Sequence, residues 1–397
     1  MIAITSGRSR TTVRPRNWSS ITTAVYQARA WSGTWRPSQK LSDLAVILAG
    51  VEEELLGNAV DALWRGGWLP YDVHQVVTRN LDESAVLLVV DAIAADCARH
   101  PEASIHPRWR EQLTEIGAEV WWDTSRPVLG QWAGRHIETP EYTARTAQRL
   151  VSFVGTLGAL PRILPLPGSF SGSVVRSGVD PKVLNRVRGL LAKAESTQFP
   201  EEAEALSAKA QELMNRHALE RAMLESDLPQ HAASRRMWLE KSYFKAKAQL
   251  VAVVADANRC RAVIYPKVGF VALVGDDVDL EITELLSTSL LVQATRAMVA
   301  AGAGSDSRSR TYRQSFLVSY AHRIGERMAE VNEPVADPRL LPVLADRAKA
   351  VDELFDQLFT RTKAMRVSVG SAAGWHAGRT AADLADIEVR RSSVTSG

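Results

Sequence analysis

Helical spacing of apolar residues dominates the first 160 positions. Between residues 42 and 65 they recur every three or four positions, the period of one helix face, and Gly66-Gly67 predicts the end of this helix. Further helices are predicted over 70–79, 82–98, 107–122 and 139–158. Because nothing in this region alternates with a period of two, the pattern predicts an all-α domain over 41–158. Residues 159–179 are rich in Pro, Gly and Ser, which predicts a linker.

A helical hairpin is predicted over 180–221. Asp180 followed by Pro181 is typical of a helix start, and Pro200 begins the second helix after a polar turn. We expect helices over 181–195 and 200–217, whose shared interface buries four leucines: Leu190, Leu191, Leu206 and Leu213.

Residues 237–397 mix helical and strand patterns. The runs 260–265 and 270–274 are rich in β-branched and aromatic residues, and they predict a β-hairpin. Helices are predicted over 238–256, 276–301, 312–330, 344–365 and 374–388, and loops over 222–236 and 302–310. The predicted fold is mainly α, with a helical N-terminal domain, a helical hairpin and a small α+β C-terminal domain.

The hairpin resembles a known family. The segments that carry the likeness are Leu190-Leu191-Ala192-Lys193-Ala194-Glu195-Ser196-Thr197, Pro200-Glu201-Glu202-Ala203-Glu204-Ala205, Lys209-Ala210-Gln211-Glu212-Leu213-Met214 and His217. They are similar to domain of unknown function 2786, a family found mainly in actinobacterial and phage proteins. Residues 238–330 resemble the α+β domain that often follows it. The resemblance implies an architecture and provides no catalytic residues.

Composition restricts the class of protein. The two cysteines, Cys97 and Cys260, cannot build a disulfide framework, and no apolar run is long enough to cross a membrane. We therefore expect a cytoplasmic chain without a membrane anchor.

Charge is distributed unevenly along the chain. Residues 1–40 contain seven Lys or Arg and no acid, whereas residues 41–165 contain 17 acids and 10 Lys or Arg. Arg14, Arg16 and Trp18 place guanidinium groups beside an indole, a combination that suits phosphates and unpaired bases. The basic segment 1–40 is predicted to be a disordered arm. A disordered terminus, an organelle-targeting segment and a nucleic-acid-binding arm all fit this composition.

A second group of basic residues surrounds the predicted helix 312–330. Its arginines, which we interpret as candidate phosphate contacts, are Arg296, Arg308, Arg310, Arg313, Arg323 and Arg327. Arg313 is predicted at the helix start, where unpaired backbone N–H groups attract anions.

Three other patterns suggest chemistry. His322 and Glu326 lie one helical turn apart and are a weaker candidate metal pair. The acids from Asp276 to Glu281 fit either a helix start or a Mg²⁺ site. A ridge of small residues, spaced by four, predicts close helix packing within the chain or with a partner: Gly370, Gly374, Gly378 and Ala382.

The sequence thus favours a non-enzymatic nucleic-acid-associated protein that needs no cofactor. Two alternatives stay open. The acids with His322 and Glu326 suit a metal- or phosphate-dependent enzyme, and the small-residue ridge with the abundant tryptophan suits a protein–protein adaptor.

Overall fold

The computed structural model describes most of the chain. It covers residues 3–5, 52–172, 181–196, seven positions between 206 and 217, 232–301, 309–331, 340–364, 367 and 369–383. These residues fall into two units, one formed by 7–175 and the other by 1–6 with 176–397. The predicted fold class, mainly α with a small α+β region, is confirmed. None of the described helices is both long and apolar enough to span a membrane.

Helices are the main elements of the first unit, and its described residues contain no strand. Its helices are α1 (52–65), α2 (Pro70–Asn80), α3 (Glu83–Cys97), α4 (Pro107–Glu115), α5 (Val128–His136) and α6 (Pro140–Val154). Asp82 caps α3 by accepting a hydrogen bond from the backbone N–H of Ala85, as its position before the apolar run predicts. Trp109 and Trp132 are 1% and 0% exposed, so these two indoles belong to the core of this unit and offer no surface to a partner protein.

Two local features differ from the sequence prediction. Helix α4 ends at Glu115, not near Trp122, because Gly117 adopts a left-handed conformation with φ of 69°. Residues 159–172 were expected to be a linker, but they pack on the helical unit. The Leu160 N–H donates to the Gly66 carbonyl at 2.8 Å, and the N–H groups of Gly168 and Phe170 donate to the Ser104 carbonyl.

The second unit contains a five-stranded sheet. Its strands are β1 (Ala3–Thr5), β2 (Ala233–Trp238), β3 (Arg261–Tyr265), β4 (Phe270–Gly275) and β5 (Thr362–Ala364), in the order β2-β4-β3-β1-β5. Strands β3 and β4 form the predicted hairpin. Strand β1 is parallel to β3 and antiparallel to β5. At residues 3–5 the expected disordered arm is therefore a strand; its other residues lie outside the described part of the chain.

Six helices are continuous in the described residues of this unit. They are α7 (Pro181–Ser196), α8 (Phe244–Ala257), α9 (Asp277–Ala300), α10 (Arg310–Val331), α11 (Leu340–Leu358) and α12 (Ala372–Asp383). Trp238, expected to begin a helix, ends β2 instead, because the whole of β2 pairs with the buried strand β4. The helix predicted over 344–365 stops at Leu358 and is followed by β5.

The hairpin is joined to the core of this unit. Helix α7 has the predicted start, and each described position between 206 and 217 is helical. Leu191 is buried, whereas Leu190, Leu206 and Leu213 are half-buried. Leu191 packs into the apolar cluster that also contains Leu250 of α8. The hairpin is therefore anchored through fewer fully buried leucines than the apolar spacing predicts.

Candidate active site

A cleft of about 730 Å³ opens in the second unit, between α8, β3, α10 and α11. This volume is within the range of small-molecule sites. Apolar side chains and five ionisable groups share its walls. The residues used below are Val253, Asp256, Arg261, His322, Glu326 and Phe355.

His322 and Glu326 form a pair on the wall of this cleft. Their separation of four residues places both on one face of α10, and His322 Nδ1 lies 3.0 Å from Glu326 Oε1. The imidazole is half exposed, and its ring centroid is 6.0 Å from that of Trp375 on α12. A carboxylate beside Nδ1 orients an imidazole and leaves Nε2 to exchange a proton with a ligand.

Two arginines hold the Glu326 carboxylate. Arg379 of α12 donates to both of its oxygens, at 3.2 and 2.8 Å, and Arg323 donates to Oε2 at 2.9 Å. These hydrogen bonds, with Arg379 contributing most, lower the pKa of Glu326 to about 2. Glu326 is thus a fixed anion at neutral pH, which suits a group that positions its neighbour and does not itself exchange protons.

Arg261 occupies another part of the cleft wall. Its guanidinium carbon lies 3.5 Å from the centroid of the Phe355 ring, and Nη1 donates to Asp352 Oδ1 at 2.7 Å. Strand β3 supplies Arg261 and helix α11 supplies both partners, so the contact ties this helix to the sheet. Stacking and pairing together restrict the orientation of the planar guanidinium.

Cys260 contributes no nucleophile to the cleft. The thiol is 3% exposed, and burial raises its pKa well above the ordinary value. A thiol in such surroundings stays protonated at neutral pH and is inert. Cys97 in the first unit is similar, with its pKa raised to about 11 by burial.

The predicted phosphate-binding arginines have internal partners at several positions. Arg296 donates to the Glu195 carbonyl at the end of α7, and Arg323 pairs with Asp383 and Glu326. Arg327 is 2% exposed and donates to the Ala382 carbonyl. Its expected surface position is therefore wrong: the end of α12 covers its guanidinium.

Helix α10 also begins differently from the prediction. It starts at Arg310, which is exposed, so Arg313 lies in the second half of the first turn. The backbone N–H of Arg313 donates to the Ser309 carbonyl at 3.2 Å, and that of Tyr312 to Ser309 Oγ. The N–H groups of Tyr312 and Arg313 are thus paired within this turn and are not available to an anion. Arg14, Arg16, Trp18 and Arg308 lie outside the described residues.

The acids at the start of α9 have partners within the fold. Asp276 caps the helix through the Val278 N–H, and Asp279 pairs with Arg259. Arg235 pairs with Glu284 at 2.6 Å and lies 3.8 Å from Asp277. Within the described part of the chain, no three His, Cys, Asp or Glu side chains converge as metal ligands. The metal interpretation of His322 and Glu326 therefore has no third ligand there.

The predicted small-residue ridge is confirmed inside the chain. Gly374 and Gly378 of α12 are buried against the backbone of α10, at Tyr312 and Phe316. Ser315 Oγ of α10 accepts the N–H of Ser371 at the start of α12. The ridge fixes α12, and with it Arg379, beside Glu326, so this face is not a surface for a partner.

Sequence reasoning found His322 and Glu326 but missed Arg261, Asp256 and Arg379 as members of the same site. Arg261 begins a recognisable strand, and Arg379 follows Gly374 and Gly378 on one helix; these are signals of local structure only. Their meeting with α10 depends on tertiary packing.

Comparison with known proteins identifies one segment. Residues 182–221 match the family described as protein of unknown function (DUF2786). This match covers the helical hairpin and leaves the cleft outside it. No curated protein and no solved structure matches the chain.

Proposed function

We propose that the second unit is an enzyme that binds a small molecule in the cleft, with His322 as its proton-transfer residue. The observation that carries this proposal is the His322–Glu326 pair, 3.0 Å apart, on the wall of a cavity of about 730 Å³. The cavity has the size of a ligand site, and the pair has the arrangement of a histidine oriented for general acid–base work.

The surrounding contacts favour a functional histidine over an incidental surface one. Two arginines already neutralise Glu326, so the ion pair with His322 is not needed to satisfy that carboxylate. The imidazole nevertheless contacts Glu326, has the Trp375 ring nearby and keeps about half of its surface exposed. A polar group that is oriented on one side and accessible on the other is suited to act on a bound molecule.

The first test separates binding from chemistry. Ala329 also lines the cleft, and Ala329→Trp should fill it and abolish the binding of fragments that the wild-type protein binds, as seen by ligand-detected NMR. Ala373→Trp, at an exposed position of α12, is the matched control and should bind the same fragments. Equal binding by both variants would place the ligand site elsewhere.

Turnover is tested with a defined metabolite mixture followed by mass spectrometry. His322→Gln should slow the conversion of any substrate by about 100-fold or more, as expected on loss of a general acid–base group. His376→Gln changes an exposed histidine of the same unit that does not line the cleft, and it should leave the rate unchanged. Undiminished turnover in His322→Gln, or no conversion by the wild-type protein, argues against the enzyme.

Nucleic-acid association is a second candidate. It is favoured by the exposed Arg310 at the start of α10 and by the acid-free composition of residues 1–40. Because the guanidinium groups of Arg296, Arg323 and Arg327 have partners within the unit, this hypothesis now depends on Arg308, Arg310, Arg313 and the arm residues Arg14, Arg16 and Trp18.

Salt dependence tests this second candidate. If about four arginines touch phosphates, duplex affinity should fall with salt at a log–log slope of about −3 to −4, and Arg308→Gln with Arg310→Gln should reduce that slope by about two. Filter binding with random 30-mers measures it. Lys349→Gln with Lys363→Gln removes two exposed charges elsewhere and should change the slope less. A duplex affinity that does not change with salt concentration, or no binding, contradicts the hypothesis.

A further inference from the structure

Arg261 has side-chain donors without a hydrogen-bond partner among the described residues. Nη1 donates to Asp352, and the guanidinium plane rests on the ring of Phe355. Among the described residues Nη1 is the Arg261 side-chain atom with an acceptor, so Nε and Nη2 stay available. The side chain is 42% exposed, and the residue lines the cleft that contains His322.

We propose that Arg261 binds an anionic group of the ligand, a carboxylate or a phosphate. This inference rests on the proposed function, because it takes the cleft to be the ligand site. An arginine whose plane is fixed by stacking loses little freedom on binding, and its planar donors match the two oxygens of a carboxylate or phosphate. Asp352 fixes the guanidinium from one edge and leaves the other donors to the ligand.

The other charges of the cleft define how strongly an anion binds. Glu326 is neutralised by Arg323 and Arg379, so its charge is compensated within the protein. Asp256, at the end of α8, is exposed and adds a negative charge to the same cleft. The Asp256 carboxylate repels an anion. A ligand that carries a hydrogen-bond donor beside its anionic group is bound more favourably, because this donor hydrogen-bonds to the Asp256 carboxylate. Arg261 and Asp256 together therefore favour small acids that also bear a hydroxyl or amino group.

Two variants with opposite expected effects test this assignment. Inorganic phosphate and acetate are the probes, titrated at constant ionic strength against chloride, with binding read by NMR shifts and by the thermal midpoint. Arg261→Gln should weaken binding of the preferred anion about tenfold, the effect of losing a charge-assisted hydrogen bond. Asp256→Asn should strengthen it, because it removes a repelling charge from the same cleft.

Controls separate this inference from the proposed enzyme. Arg186→Gln removes an exposed arginine of the same unit outside the cleft and should bind the anion like the wild-type protein. Arg261→Lys keeps the charge without the planar donors, so intermediate binding is expected, and it guards against a folding defect in Arg261→Gln. Equal anion binding in wild type and Arg261→Gln, or no binding at tens of millimolar, overturns the anion site.

The two proposals fail in different ways. If Ala329→Trp abolishes fragment binding while Arg261→Gln changes nothing, the cleft is a ligand site without an anion subsite at Arg261. If Arg261→Gln weakens phosphate binding while His322→Gln leaves turnover unchanged, the anion subsite is supported and the proton-transfer role of His322 is wrong.

Discussion

Gly378→Ala should lower the free energy of unfolding by about 3 kcal/mol, the upper end of the usual cost of over-packing. A Cβ at this position would lie 2.2 Å from the Phe316 carbonyl oxygen and 2.8 Å from its carbonyl carbon. These atoms belong to the backbone of a buried helix, so no side-chain rotation relieves the clash. Helix α12 must move away from α10, and the contacts that hold Arg379 and Arg323 around Glu326 move with it.

The control variant should change the free energy of unfolding in the opposite direction. Gly189 lies within helix α7, and a Cβ there meets no atom within 4 Å. Gly189→Ala should therefore stabilise the protein by about 0.8–1 kcal/mol, because alanine is the better helix former. Chemical denaturation of both variants measures the difference. A loss of less than about 0.5 kcal/mol for Gly378→Ala would mean that the two helices are not in close backbone contact.

The second large effect concerns the short strand β1. Ile4→Pro should cost about 2–4 kcal/mol, because proline removes a backbone donor from a strand that has neighbours on both sides. Strand β1 pairs with β3 at Ala3 and Ile4 and with β5 at all three of its residues. Breaking these ladders exposes the edge of β3, whose Val263 and Ile264 are fully buried.

Ile4→Val keeps the backbone N–H and is the control, with an expected cost of less than about 1 kcal/mol. Thermal unfolding of the full-length chain compares the two. An unchanged thermal midpoint in Ile4→Pro would mean that residues 3–5 belong to the disordered arm that composition predicts. A drop of several degrees supports the strand.

The elements that sequence predicts well are those with local determinants. Asp82 and Asp276 cap their helices as their positions imply, and the run 260–274 forms the expected hairpin. The strands β1, β2 and β5 were missed because their pairing partners, not their own composition, decide their conformation. β2 contains two arginines and a serine and depends on the buried strand β4 for its existence.

The candidate site shows the same division between local and tertiary information. His322 and Glu326 were identified together because i and i+4 residues share a helix face, a purely local rule. Whether these two residues bind a metal, and whether Arg327 is exposed, depends on the groups that surround them in the fold. The spacing of residues along the sequence does not reveal those groups. Arg379 comes from a helix about 50 residues later and is placed by the packing of Gly374 and Gly378. Without that packing, spacing alone does not distinguish an arginine that fixes a carboxylate from one that faces a phosphate.

The position of β1 has a consequence for the order of folding. The ribosome makes this strand long before its partners Val263 and Ala364, which follow about 260 and 360 residues later. At 5–20 residues per second the strand waits about 20–70 s for both partners, and the helical unit emerges during that interval. Closing the sheet is thus a late, long-range step of the kind that slows folding. A nascent chain that ends before residue 362 can complete the helical unit while the sheet around β3 stays unfinished.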